Sequence, residues 1–371
     1  MPRGVAKSLT RSELAAENSI MWRSNLRSPV LSVRKHNRGN RQMKYFMLLA
    51  ALLLALASDN STAANLFEIK FTSYKPTLRE LLASDFKKQP VELSAKLYLP
   101  EGDGPFPALI WVHGSGGPDV EHQSGWINVL AKLTTQRRVA LFVIDSYGGR
   151  HISGADVAQG RAGISMSVRI MDTFMAANAL AKNARINPAK LYVSGHSAGG
   201  LVSINSASMD IIQAVKELGV TFAGHIPVSP ECLTQPGNHA YNGKPMLIVS
   251  GENDEATPIK NCERLVVQMG AHYPVELKAI PNGNHTIIRI DSFKWTSVAY
   301  NSCGRWIFDE RGGYTLPDMG GVNNGPGSDE FNKAFKSCTK FETYNERGSL
   351  KIRSELESHL TNYIDTFVLT K

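Results

Sequence analysis

One short stretch, residues 190–205 (KLYVSGHSAGGLVSIN), constrains the fold of this chain more than any other. An apolar run at 191–193 leads into GHSAG, centred on Ser197, and the following residues read as the first turns of a helix. The pattern G-x-S-x-G between a strand and a helix is typical of a nucleophile elbow, a sharp turn that exposes a serine hydroxyl. Strand and helix then approach so closely that the positions two before and two after the serine need glycine. The motif alone also fits a glycine-rich turn with no chemistry.

The chain after residue 64 alternates apolar strand-like runs with helical periodicity. Continuous apolar runs such as ALIWV are typical of strands buried on both faces of a parallel sheet. The predicted strands are 67–73, 91–99, 108–112, 139–144, 191–193, 223–228, 246–249 and 275–280, and the main predicted helices are 125–133, 164–184, 198–205, 257–269 and 350–368. Thr257 is the expected N-cap of the helix before Gly270. Repeated βα units predict an α/β fold, with a doubly wound, mostly parallel sheet flanked by helices in a single catalytic domain.

The N-terminal segment differs from the rest in composition. Residues 1–64 hold ten Lys and Arg against three acids, so they supply +7 of the net charge of +8. The remainder is nearly neutral, which argues against a nucleic-acid partner for the folded domain.

Residues 43–64 have the layout of a secretory signal peptide. A lysine precedes a 12-residue apolar run at 46–57, and small residues follow at 63–64. That layout predicts cleavage near Ala64, a periplasmic or secreted protein and no stable membrane anchor, because 12 residues span a bilayer poorly. The basic leader 1–42 is not expected in the mature protein. Translation that starts at Met43 is its simplest explanation, and a transit peptide is the alternative.

Export would allow disulfides among Cys232, Cys262, Cys303 and Cys338, for which three pairings exist. We favour Cys303–Cys338, which would hold the glycine-rich stretch 312–327 as an ordered flap beside the pocket mouth. That stretch is expected to form neither a helix nor a regular strand. Cys262 falls on the apolar positions of a predicted helix, so a role in the core also fits.

The partners of Ser197 are expected on loops that follow strands, because open α/β sheets bind ligands at the carboxyl ends of their strands. With the order serine, acid, histidine, only His272, His285 and His359 come late enough. His272 precedes a strand and His359 lies within the last helix. His285 follows the strand 275–280 on a glycine-containing turn and is therefore the predicted general base.

Three carboxylates, those of Glu252, Asp254 and Glu255, follow the strand 246–249. Asp254 is the predicted acid that orients the imidazole, and the two glutamates are expected in solvent or on backbone amides.

An oxyanion hole needs preorganised N–H donors. The amide of Ala198 is one, and the loop HGSGG at 113–117 should supply the other from Ser115, with Gly116 as the alternative. His113 and His196 flank these positions and are expected to be packed structural histidines.

Six segments together resemble the α/β-hydrolase superfamily, most closely its dienelactone hydrolase-like branch. They are LYLP at 97–100, PFPA at 105–108, HGSGG at 113–117, GHSAGG at 195–200, GENDEATP at 251–258 and NGNH at 282–285. Dienelactone hydrolases proper have a cysteine nucleophile where this chain has Ser197, which favours an esterase. The connection at about 287–345 is longer than is usual in the family and predicts an insertion within the domain 65–371.

The resemblance implies two-step acyl transfer to Ser197 from a small-molecule ester, with His285 as base and Asp254 as orienting acid. No metal constellation or nucleotide loop is evident in the sequence, so no cofactor is implied. Two other classes remain open: a serine peptidase of the prolyl-oligopeptidase type, and a non-catalytic binding protein on the same fold. Four tryptophans, at 111, 126, 295 and 306, fit either a pocket lining or the core, and the core is favoured for Trp111.

Overall fold

The computed structural model describes residues 65–158, 162–300, 302–319 and 329–370. The predicted leader 1–42 and signal peptide 43–64 lie outside the described residues, as does part of the glycine-rich stretch, 320–327. Within the described ranges, no helix is both long and apolar enough to cross a membrane.

Eight strands form one central sheet. In chain order, the first nine strands are β1 (Asn65–Ser73), β2 (Val91–Leu99), β3 (Phe106–Val112), β4 (Ala140–Asp145), β5 (Ile186–His196), β6 (Gly224–Val228), β7 (Thr234–Pro236), β8 (Met246–Gly251) and β9 (Val275–Ile280). The order across the sheet is β1-β2-β4-β3-β5-β6-β8-β9, and β7 belongs to a smaller sheet. Strand β2 pairs antiparallel with β1 and β4, whereas the others pair in parallel. The prediction of a mostly parallel sheet is confirmed.

Ten α-helices are described. They are α1 (Leu78–Leu82), α2 (Pro118–Gln123), α3 (Trp126–Thr135), α4 (Gly154–Ala158), α5 (Met166–Ala181), α6 (Ala198–Asn205), α7 (Met209–Ala214), α8 (Ile259–Met269), α9 (Asp329–Cys338) and α10 (Leu350–Tyr363). Short 3₁₀ turns cover Gly148–Arg150, Lys216–Leu218, Gly270–His272 and Pro317–Met319, and α10 continues as a π-helical turn, Ile364–Val368.

Helices cover both faces of the sheet, because each face carries its own apolar cluster. Phe174 of α5 packs with Ile110 and Phe142 in one cluster. Trp126 of α3 and Leu360 of α10 pack in the other, against the opposite face. Burial on both sides explains why the central strands read as continuous apolar runs.

The segment between β9 and α10 contains the strands β10 (Ser292–Ala299), β11 (Trp306–Phe308), β12 (Tyr314–Thr315) and β13 (Lys340–Arg347), together with α9. Strands β10 and β13 form a two-stranded antiparallel ribbon. Strand β11 pairs with β12 and, in parallel, with β7 of the core. The expectation that 312–327 forms no regular strand is therefore wrong at Tyr314–Thr315, where pairing with β11 overrides the local glycine content.

Both pairs of cysteines are disulfide-bonded. The predicted Cys303–Cys338 bond is present, with a sequence separation of 35 residues. Cys262 is fully buried, but it is bonded to Cys232 and is not a free core thiol. Helical periodicity indicated the burial of Cys262 correctly and carries no information about the partner that faces it from another element.

Candidate active site

Ser197 lies on the turn between β5 and α6, at the carboxyl end of the central strand. Its backbone has φ 55° and ψ −115°, a conformation that costs free energy for a residue with a side chain. A Cβ added to Gly195 or Gly199 would overlap the carbonyl oxygen of Val112 on β3. The two glycines of the motif are therefore required by the close approach of strand and helix.

The structure brings Ser197, His285 and Asp254 into one hydrogen-bonded chain. His285 Nε2 is 2.9 Å from Ser197 Oγ, and His285 Nδ1 is 2.9 Å from Asp254 Oδ2. Asp254 follows β8 and His285 follows β9, so the two neighbouring strand ends deliver both side chains to the same edge of the sheet. His285 and Asp254 are buried.

Thr257 does not cap α8 as predicted; the helix begins at Ile259 with Pro258 as its N-cap. The Thr257 hydroxyl instead lies 2.8 Å from Asp254 Oδ2 and 3.0 Å from His285 Nδ1. Asp254 Oδ1 accepts hydrogen bonds from the N–H groups of Ala256 and Thr257, at 3.0 and 2.7 Å. The carboxylate is held by its own turn, which fixes the direction in which it faces the imidazole.

The ribbon β10–β13 packs directly on His285. Trp295 stacks on the imidazole with ring centroids 5.0 Å apart, and Tyr344, its cross-strand partner, stacks on Trp295 at 4.8 Å. Glu346, also on β13, accepts a 3.0 Å hydrogen bond from the N–H of Thr286, the residue after His285, and a second one from the Thr286 hydroxyl. The insertion therefore holds both the ring and the backbone of this histidine.

Two opposing effects act on the pKa of His285. Burial lowers it, whereas the charge and hydrogen bond of Asp254 and the charge of Glu346 raise it, and the net result is a pKa above the ordinary 6.5. A protonated His285 is stabilised by these carboxylates, which suits a group that must accept a proton during a reaction.

The loop after β3 carries Ser115, one of the two predicted oxyanion donors, and Ala198, the other, begins α6. Glu121 of α2 accepts hydrogen bonds from Trp111 Nε1 at 2.6 Å and from Gly114 N–H at 2.9 Å. Gly117 N–H is bonded to Gly114 O at 3.2 Å. Among the described hydrogen bonds none is donated by the N–H of Ser115 or of Ala198, and both residues line the cleft described below.

His113 and His196 are buried and hydrogen-bonded, as expected. His113 Nε2 accepts from the N–H of Ser146 at 3.3 Å, and His196 Nε2 donates to the carbonyl oxygen of His285 at 2.9 Å. Burial and the neighbouring His285 lower the pKa of His196 to about 3, so it stays neutral. Its hydrogen bond supports the loop that carries His285.

A cleft of about 960 Å³ opens over Ser197. The loop after β3 forms part of its wall, and the insertion contributes Phe293, Trp295, Tyr300 and Trp306. Trp111 and Trp126 lie instead in the core. No group of three or more His, Cys, Asp or Glu residues in the described part of the chain is arranged to hold a metal ion.

The other residues considered from the sequence lie away from this chain of hydrogen bonds. Glu252 and Glu255 are exposed, in accordance with the expectation. His272 lies in a 3₁₀ turn before β9, and His359 lies within α10. Sequence patterns did not indicate Thr257 or Glu346 as site residues, because Thr257 meets His285, and Glu346 meets Thr286, only when distant segments pack together.

The strand order, the antiparallel β2 and a strained serine turn at the end of β5 together define an α/β-hydrolase fold. The resemblance inferred from the sequence is confirmed at this level.

Comparisons with known proteins gave three results. No family model matches the chain. Curated proteins of Escherichia coli K12 and O157:H7, both described as uncharacterized protein YfhR, are 26% identical over 215 residues, or 53% of this chain and 69% of theirs. Similar solved structures include a putative dienelactone hydrolase from Klebsiella pneumoniae (15% identity, TM-score 0.43, covering 60% of this chain and 88% of that one) and Est1E from Butyrivibrio proteoclasticus (20%, 0.38, 53% and 86%).

Proposed function

We propose that this chain is a serine esterase that hydrolyses a small-molecule carboxylic ester in two steps, through an acyl-enzyme on Ser197. The observation that carries the proposal is the continuous chain of hydrogen bonds from Ser197 through His285 to Asp254, with both links at 2.9 Å. A nucleophile, a base within hydrogen-bonding distance and a third group that orients the base are the requirements for nucleophilic acyl transfer.

In the first step Ser197 Oγ attacks the ester carbonyl while His285 Nε2 accepts the hydroxyl proton. Asp254 holds the imidazole with its proton on Nδ1 and stabilises the imidazolium that forms. We assign the developing oxyanion to the N–H groups of Ser115 and Ala198. His285 then protonates the leaving alcohol, and a water molecule activated by the same histidine releases the acid. No step requires a cofactor.

Changing Ser197 to Ala tests the proposal. We expect kcat/KM for p-nitrophenyl acetate to fall by at least ~10³-fold, because the nucleophile and its base act as a unit. The fold should persist, since a small hydroxyl is removed from a strained turn. Ser354→Ala, a change at an exposed serine of α10, is the matched control.

Two further measurements separate this function from the alternatives. Covalent labelling by a fluorophosphonate in the wild type, and its loss in Ser197→Ala, distinguishes a serine hydrolase from a binding protein. Parallel assays with a chromogenic peptide distinguish an esterase from a peptidase. Turnover of the acetate ester by Ser197→Ala at more than a few per cent of the wild-type rate would contradict the assignment of the nucleophile.

A further inference from the structure

Glu231 places a buried carboxylate in the wall of the same cleft that contains Ser197. The residue is only 5% exposed, and in the described part of the chain no basic side chain pairs with it. Its carboxylate accepts hydrogen bonds from the Thr234 hydroxyl at 3.2 Å and from the Thr234 N–H at 3.3 Å, and a hydrogen bond from the backbone of Leu233 also lowers its pKa. A carboxylate has about four acceptor positions, so these long bonds leave part of its capacity unused.

Aromatic residues of the insertion line the same cleft as this carboxylate, and one of them, Trp306, pairs with Thr234 in the β11–β7 ladder. Tyr300 and Trp306 line the cleft and meet edge to face, with centroids 5.7 Å apart. The backbone N–H of Trp306 donates to the carbonyl oxygen of Leu233, two residues after Glu231, at 3.0 Å. Burial and then the charge of Glu231 raise the pKa of the Tyr300 hydroxyl. Aromatic faces beside a carboxylate are the chemistry that binds ammonium groups.

The charge of the cleft favours the same ligand. Asp119, Glu121, Asp145 and Glu231 line it, against the basic residues Arg289 and Lys294. Arg289 is already paired with Asp291 at 2.6 Å and lies over the ring of Phe293 at 3.9 Å. The lining therefore has more acidic than basic groups, which raises the local concentration of a cation.

We propose that Glu231, together with the rings of Tyr300 and Trp306, forms a cation-binding subsite, and that the ester substrate carries an ammonium group that this subsite recognises. The inference rests on the proposed esterase function and specifies its substrate class. A carboxylate that served only to close the turn before β7 would give no preference for charge in the substrate.

The two disulfides hold the parts of this subsite in place. Cys232, next to Glu231, is bonded to Cys262 of α8. Cys303 lies between Tyr300 and Trp306 and is bonded to Cys338 at the end of α9. A binding group that is fixed before the ligand arrives loses less conformational entropy on binding.

The test uses ester pairs of equal shape in which a trimethylammonium group is replaced by tert-butyl. One pair, of thioesters, carries the group in the thiol leaving group, as in acetylthiocholine and S-(3,3-dimethylbutyl) thioacetate. The other carries it in the acyl chain, as in p-nitrophenyl 4-(trimethylammonio)butyrate and p-nitrophenyl 5,5-dimethylhexanoate. The readout is the ratio of kcat/KM for the cationic ester to that for its neutral partner, and comparing this ratio between the wild type and a variant removes the intrinsic difference in reactivity of the two esters.

At pH 8 we expect a ratio of roughly 10 to 100 for at least one pair in the wild type. Burial raises the pKa of Glu231 to about 7, so the carboxyl is mostly ionised at this pH. Glu231→Gln should bring the ratio close to unity, whereas Glu252→Gln, at an exposed acid outside the cleft lining, should keep it. Equal rates for both members of both pairs in the wild type would overturn the subsite whether or not the Glu231 variant folds.

The outcomes separate this inference from the proposed function. If the wild type hydrolyses all four esters without preference and Ser197→Ala hydrolyses none, the esterase assignment stands and the cation subsite fails. If no ester is hydrolysed, the esterase assignment fails, and calorimetric titration with butyltrimethylammonium decides the subsite alone. Binding by the wild type that is weakened at least tenfold in Glu231→Gln supports the subsite, and no binding refutes it.

Discussion

Asp254 is held by three hydrogen-bond donors of its own turn, so its carboxylate cannot rotate away from His285 without losing them. We expect Asp254→Asn to reduce kcat by orders of magnitude, roughly 10⁴-fold where an amide favours the wrong imidazole tautomer. Glu252→Gln removes a neighbouring exposed acid and should leave kcat within about twofold of wild type. Steady-state kinetics on p-nitrophenyl acetate measure both, and a larger loss in Glu252→Gln would show that the acid is wrongly assigned.

The charge of Glu346 raises the pKa of His285, so the pH dependence of activity measures the effect of Glu346. Burial lowers the pKa of His285 and the carboxylates of Asp254 and Glu346 raise it, with a net value above 6.5. As the proposed base, His285 accepts a proton only when its imidazole is neutral. Activity, measured as kcat/KM, should therefore be high above this raised pKa and should be lost as the pH falls through it. Glu346→Gln removes one of the raising charges and should move the acidic limb to lower pH by roughly half a unit.

The control for this shift is Glu310→Gln, at an exposed acid of the same insertion. It should leave the acidic limb where it is in the wild type. An unchanged limb in Glu346→Gln would show that Glu346 only supports the backbone at Thr286.

Local signals explain which of these residues the sequence indicated. Ser197 is flanked by glycines that a close strand–helix contact requires, and His285 follows a strand on a glycine-containing turn. Glu346 and Thr286 are 60 residues apart in the chain, and only the folding of the ribbon brings them together. Thr257 precedes a proline at a helix start, where an N-cap is the ordinary expectation, but its hydroxyl lies near Asp254 instead.

At the scale of elements, the central strands and the long helices could be predicted because burial imposes period and composition on them. Strand β6, predicted at 223–228, spans Gly224–Val228, and β9 has the predicted bounds Val275–Ile280. The sequence of the insertion contained weaker signals for secondary structure. Strand β12 has only two residues and exists because β11 offers it a partner, an interaction between segments that no local pattern contains.

The Cys303–Cys338 disulfide closes a loop that includes β11, β12 and α9. Replacing both cysteines with serine should lower the free energy of unfolding by about 4 kcal/mol in the chain-entropy model. Chemical denaturation of oxidised protein measures this loss. We also expect KM for bulky esters to rise more than KM for p-nitrophenyl acetate, because the loop carries part of the cleft wall.

The matched comparison is the double variant Cys232→Ser, Cys262→Ser. The Cys232–Cys262 bond joins residues that are 30 positions apart in the chain, so it closes a loop of similar length. Free thiols at Cys303 and Cys338 in peptide maps of the native protein would contradict the predicted flap. Kinetics that are unchanged for all esters after the replacement would contradict it as well.

For the whole molecule, we predict that an N-terminal segment is cleaved off and that the protein is exported. We expect the mature protein to begin close to Ala64 or Asn65, in a periplasmic or culture fraction, because a lysine, a short apolar run and small residues occur in that order upstream. The two disulfides agree with an oxidising compartment. N-terminal sequencing of the recovered protein gives the answer, and an intact 371-residue chain in the cytosol would contradict both cleavage and export.

The ribbon β10–β13 leaves the core and returns to it at nearly one point. Ser292 pairs with Arg347 at its base, and the N–H of Gly348 donates to the carbonyl oxygen of Asp291 at 2.9 Å. The segment 292–347 thus enters and leaves the core at one place, but it is also bound to the core where β11 pairs with β7 and where Trp295 stacks on His285. A change of length or sequence in this segment would consequently alter the cleft wall and the support of His285 together, so the two cannot vary independently.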